Sequence, residues 1–182
     1  MAVAPHALAS QSALAVLREG GNALEAMIAA AATIAVVYPH MNSLGGDSFW
    51  LVHVPGQVPA GIDACGAAAR VASIAWYAVH GIKDSIPFRG GVAANTVAGT
   101  VSGWALAHER AREIGGRLPL SRLLEDAIHY AEHGIPVTAS QNAATAAKRS
   151  ELELQPGFAD AFLPGGGVPA TGSRFEIGRA HV

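Results

Sequence analysis

Apolar and polar positions fall along this chain in blocks, each bounded by glycine or proline. Residues 13–19, Ala-Leu-Ala-Val-Leu-Arg-Glu, predict a helix preceded by Ser10 and closed at Gly20-Gly21, where glycine suits the left-handed turn that ends a helix. Asn22 is placed as the N-cap of a second helix, residues 23 to about 37, with Glu25 near its positive end. That helix is apolar on nearly every side, which puts it in the middle of a larger body, and Pro39 stops it. A glycine-centred turn over residues 40–48 leads into Phe-Trp-Leu-Val-His-Val at 49–54, a run of β-formers. Pro55-Gly56 signals a turn and residues 60–65 return, so the pair predicts a hairpin. Residues 72–80 predict a short helix and 90–98 a third strand. Further on, 100–114, 122–133 and 137–152 predict helices, the first two closed by Gly115-Gly116 and Gly134. The stretch 163–173 has the composition of a loop, and no internal repeat or domain boundary interrupts the order.

Composition narrows the class. Hydrophobic residues make up 51% and charged residues 14% of 182, which excludes a disordered tail and a heavily solvated bundle. A net charge of −2 with no Lys/Arg cluster leaves no footprint for nucleic acid. The longest apolar stretch, 26–38, is shorter than the roughly 20 residues a bilayer span needs. A single cysteine, Cys65, cannot close an internal disulfide, and the first residues lack the charged start and apolar core of a signal peptide. A soluble cytoplasmic protein is therefore the expectation, or a periplasmic one if a leader is missing.

Local motifs carry little chemistry by themselves. His129 and His133 stand four apart on one helix, a spacing that suits a zinc ion, but no third ligand is suggested nearby. Two surface histidines near a helix C-terminus, where positive charge is welcome, are the simpler reading. Gly45-Gly46-Asp47 offers either backbone N–H groups to an anion or a turn before a strand, its glycines permitting positive φ. Asp63-Ala-Cys-Gly66, at the end of the returning strand, is placed to touch a substrate. Cys65 is either a nucleophile or, as lone cysteines more often are, a small hydrophobe.

The ordered set of segments is more specific than any one of them. His6-Ala-Leu-Ala-Ser10, Leu17-Arg-Glu-Gly-Gly-Asn-Ala-Leu-Glu-Ala26, Val37-Tyr-Pro-His40 and Leu44-Gly-Gly-Asp-Ser-Phe49 come first. Val97-Ala-Gly-Thr-Val-Ser-Gly103, Leu118-Pro-Leu with Ala127-Ile, and Ala131-Glu-His-Gly-Ile-Pro-Val137 follow. Across residues 5–165 the chain resembles the start of the large subunit in the γ-glutamyltranspeptidase family of N-terminal-nucleophile hydrolases. The resemblance implies an α/β (α+β) fold: a helix-rich portion, with a few strands, of a four-layer αββα enzyme. It implies a precursor that cuts itself into two subunits and frees a threonine whose own α-amino group serves as base. That threonine is expected a few hundred residues beyond residue 182, so Thr96, Thr100, Thr138, Thr145 and Thr171 are not it. No metal or organic cofactor is implied. The partners implied are the chain's own small subunit and a small-molecule amide substrate.

One departure bears on the substrate. γ-Glutamyl enzymes of the family carry an arginine two residues after an aspartate on the returning strand, where a guanidinium grips the substrate carboxylate. Here Cys65 follows Asp63 at that place, and Arg70 is out of register. Ile62-Asp-Ala-Cys-Gly66, with Tyr38-Pro-His-Met-Asn42 and Gly46-Asp-Ser-Phe-Trp50, looks more like the oxamate amidohydrolase branch. Asp63, Cys65 and Gly66 are then the expected pocket lining, with His40 and Asn42 shaping the same wall. The alternatives are a γ-glutamyl transferase or hydrolase, a cephalosporin-acylase-like amidase and, from another class, a non-catalytic binding or assembly module. Residues 177–182 read either as a genuine short tail or, since the resemblance stops at about the same place, as a translated sequencing adapter (ATC GGA AGA GCA CAC GTC), the better reading of the two. The expected division is thus a family portion at 1–175 and a non-native tail at 176–182, with the chain inactive by itself.

Overall fold

The computed structural model describes residues 1–177. Residues 178–182, most of the expected non-native tail, lie outside the described residues. Within them Ile177 packs at the edge of an apolar cluster formed by Val37, Ile135, Val137 and Phe175.

Helix α1 (Ala7–Arg18) begins six residues ahead of its expected start, because the His6 imidazole accepts the Leu8 N–H and caps the helix there. Gly20 turns the chain at φ 88° into α2 (Ala23–Val37). Asn22 caps α2 as expected, and the cap is reciprocal: its side chain accepts from Glu25 N while Glu25 Oε2 accepts from Asn22 N at 2.7 Å. α2 is the centre of the molecule, packed by α1, by α4 (Thr100–Glu113) and by α5 (Leu120–His133). Its alanines at 26, 29, 30 and 32 let the neighbours approach closely around Ile28, Val16, Trp104 and Leu123. A buried bond from Thr33 Oγ1 to Ser12 Oγ (3.1 Å) pairs the two hydroxyls at the α1–α2 contact.

Strands β1 (Ser48–Val52) and β2 (Ala60–Ala64) form the predicted antiparallel hairpin, Ser48 opposite Ala64 and Val52 opposite Ala60. The inner face rests on α4, where Gly103 removes the side chain that would otherwise strike Ser48 Oγ and Ala64 Cβ. The outer face leaves Phe49 and Leu51 exposed. A short helix α3 (Ile74–Val79) follows, capped by Ser73.

The third strand expected at 90–98 does not form. That segment is loop, touching Ala68 through a single bridge at Thr96, with no neighbouring strand on which to extend a ladder. Conversely, β3 (Ile135–Pro136) pairs with β4 (Arg174–Phe175) at the end of a stretch read as loop. Helices α6 (Ala139–Leu152) and α7 (Phe158–Phe162) lie between them. Among the described residues no helix is long and apolar enough to cross a membrane.

Candidate active-site wall

The turn before β1 and the end of β2 come together because the ladder that pairs Ser48 with Ala64 brings Asp47 opposite Cys65. The Cys65 thiol donates to Asp47 Oδ2 (3.4 Å), and Gly66 N–H donates to Asp47 Oδ1 (3.2 Å). Asp63 Oδ1 accepts from Cys65 N (3.0 Å). Asp63, Cys65 and Gly66 therefore form one cluster, as the sequence suggests, with Asp47 added. Asp47 escapes sequence reading because 18 residues separate it from Cys65.

The cluster is clamped from behind. A Cβ at Gly66 would lie 1.4 Å from Val97 O, and one at Gly99 would lie 2.0 Å from Ala64 O. Gly46 O accepts from Gly99 N, Thr100 N and Thr100 Oγ1 at 2.9, 2.9 and 2.7 Å. The Gly46 carbonyl thus serves as the acceptor that fixes the turn at 45–48 to the start of α4. Gly45 and Gly46 are absent from the positions with positive φ, so the turn does not rest on the backbone freedom expected of them.

The surroundings of the thiol oppose its ionisation. The hydrogen bond to Asp47 and then its charge, helped by burial and by Asp63, push the Cys65 thiol above its ordinary range. A nucleophilic cysteine needs the opposite arrangement, with a cation or helix N-terminus drawing the proton off. Cys65 stands here as a neutral donor.

The other two expected wall residues part company. Asn42 lines a cavity of about 210 Å³ with Asp47, Thr100, Trp50 and the α2 strip Met27, Ala31 and Ile34. His40 faces a different cavity, of about 230 Å³, with Thr145, Lys148, Phe158 and Phe162. Its ring lies edge-on to Tyr38 at 4.2 Å, both nitrogens are buried without a partner among the described residues, and burial followed by the charge of His6 lowers its pKa. His129 and His133 stack at 4.4 Å, with His133 Nδ1 against His129 O (2.9 Å), an arrangement of two rings on one helix turn. Among the described residues, no three His, Cys, Asp or Glu side chains are grouped to hold a metal.

Comparison with known proteins agrees with this architecture. The family model for γ-glutamyltranspeptidase matches residues 9–179. The chain is 62% identical over 177 residues to an oxamate amidohydrolase proenzyme of Klebsiella pneumoniae, covering 97% of this chain and 33% of that protein. It is 41% identical over 176 residues to a glutathione hydrolase-like proenzyme of Bacillus subtilis, covering 96% and 32%. A solved γ-glutamyltranspeptidase from Pseudomonas nitroreducens, complexed with L-DON, superposes with a TM-score of 0.83 at 31% identity, over 97% of this chain and 50% of that one. The chain thus spans about a third of the length of the curated relatives it matches.

Proposed function

This chain belongs to the γ-glutamyltranspeptidase family, and we propose that it is the N-terminal part of a precursor that cuts itself in two and hydrolyses the amide of a small acid, oxamate being the first candidate. The observation that carries the reading is the 62% identity to the oxamate amidohydrolase proenzyme across nearly the whole chain. In the proposed reaction a threonine freed at the start of the partner subunit attacks the amide carbonyl, and its α-amino group takes the hydroxyl proton. Ammonia leaves with that proton, and water then releases the acid from the acyl-enzyme. This chain supplies part of the pocket wall: Asp63, Cys65 and Gly66 at the end of β2, and Asn42 across the neighbouring cavity. His40 has a weaker place, since it faces the other side of the 38–42 turn.

A γ-glutamyl hydrolase is the second reading, favoured by the Bacillus subtilis relative. Cys65 argues against it, because a thiol bonded to a carboxylate offers a substrate carboxylate none of the charge a guanidinium would. The test is ammonia release by the matured full-length protein from oxamate and from γ-glutamyl amides. The expected result is oxamate turnover with a higher kcat/KM than any γ-glutamyl compound. Turnover of γ-glutamyl amides alone would move the protein to the second reading.

A further inference from the structure

We infer that Asp47 is a positioning and specificity residue of this wall: it fixes the Cys65 thiol and the Gly66 N–H and sets a negative charge beside them, so that the wall admits neutral hydrogen-bond donors and rejects a substrate carboxylate. The inference rests on the amide-hydrolase reading above and deepens it by naming what the pocket excludes.

The sequence places Asp47 one residue before β1, and the register of the hairpin carries it opposite Cys65. Both carboxylate oxygens then engage the end of β2, one at the thiol and one at the Gly66 amide. The strand end cannot retreat from this grip, because Val97 O lies where a Gly66 side chain would be and Ala64 O where a Gly99 side chain would be. Nor can the turn drift away, since Gly46 O is held by three donors at the start of α4. Asp47 is thus anchored through its backbone neighbour and presses its side chain onto residues 65 and 66.

Its charge stays available. Asp47 is exposed and lines the cavity shared with Asn42 and Thr100. Asp63 accepts from Cys65 N and lines a separate cavity with Glu109, Arg110 and Glu113, and none of the ion pairs among the described residues involves Asp47 or Asp63. A carboxylate can only accept hydrogen bonds, so an N–H donor of a substrate satisfies its free lone pairs. A substrate carboxylate brought to the same place would meet a like charge across a few ångströms, with no Lys, Arg or His among the described residues that line the cavity. An acid too short to reach this wall escapes that repulsion, and a longer acid with a distal carboxylate does not.

The experiment uses the matured full-length protein and its Asp47→Asn variant, with oxamate and a γ-glutamyl anilide as the two substrates. The variant is expected to raise kcat/KM for the γ-glutamyl compound relative to oxamate by about tenfold, the equivalent of one pKa unit of interaction, and chiefly through KM. Iodoacetamide labelling of the Cys65 peptide, followed by mass spectrometry across pH, supplies a readout that mere loss of structure would not produce. Its midpoint is expected to fall when the carboxylate is removed. An unchanged selectivity ratio or an unchanged labelling midpoint in the variant overturns the inference. If Asp47→Asn does not mature, Asp47→Ser is put through the same two assays. A wild-type protein that turns over neither substrate removes the amide-hydrolase reading, and the labelling midpoint then decides the Asp47–Cys65 coupling by itself.

Discussion

Glu25 shows how much one side chain can hold. It is completely buried, and its two oxygens accept from Asn22 N and from Leu118 N, each at 2.7 Å. The first bond closes the cap of α2; the sequence marks Asn22 as the N-cap and Glu25 as an acid at the helix's positive end, and the structure joins the two reciprocally. The second ties α2 to the segment before α5, 93 residues away, and no local pattern encodes it. Glu25→Ala leaves two partly buried N–H groups without their acceptor, and the expected cost is about 2–4 kcal/mol, read as a lowered denaturation midpoint of the full-length protein. Glu25→Gln, which keeps an acceptor oxygen, is expected to lose less. Gly66→Ala tests the clamp behind the wall: with Val97 O only 1.4 Å from the new methyl, backbone must move. The preference for oxamate over a γ-glutamyl amide is expected to fall in variant protein that matures, and an unchanged preference in Gly66→Ala would show that the wall lies away from where a distal carboxylate sits.

Among the elements, those with strong periodicity and explicit caps were readable, and those whose partner is distant were not. The hairpin was legible because β-formers flank Pro55-Gly56, and its structure needs only residues 48–64. The run at 90–98 has only Val92, Thr96 and Val97 as β-formers among glycine, alanine and asparagine, and it makes one bridge, at Thr96, so its strand signal was too weak to hold. The pair β3–β4 is only two residues long on each side and contains Pro136, so neither half carries a strand signal, yet Ile135 and Phe175 there help close an apolar cluster. The candidate site was legible to the extent that Asp63, Cys65 and Gly66 sit on one strand end. Asp47 reaches them only through the hairpin register, and His40 turned to the opposite cavity because its ring packs on Tyr38. Gly103 is the element-scale test: a larger side chain would push α4 off Ser48 and Ala64. Gly103→Val is expected to cost about 1–3 kcal/mol through overpacking, seen as a lower melting temperature, whereas Ser102→Ala on the adjacent, partly buried turn loses one local hydrogen bond and costs less.

At the scale of the molecule, an apolar side is left open. Met27, Ala31 and Ile34 of α2 line a cavity with Trp50 and Trp104, and Phe49 and Leu51 project from the outer face of the hairpin. Such a surface is what the proposed reading requires of a chain that a partner subunit covers. The 182-residue chain expressed alone is expected to bind a hydrophobic dye and to hydrolyse neither oxamate nor a γ-glutamyl amide. A monodisperse product with cooperative unfolding and no dye binding would favour a self-sufficient binding module instead.

Whether this chain is part of a self-cleaving amidohydrolase precursor is tested by intact mass spectrometry of the protein encoded by the complete source gene. Two chains are predicted, the smaller beginning with threonine, and replacement of that threonine by alanine is predicted to leave one uncut, inactive chain. A single stable chain from the unaltered gene, with no new N-terminal threonine at any time after synthesis, would contradict it.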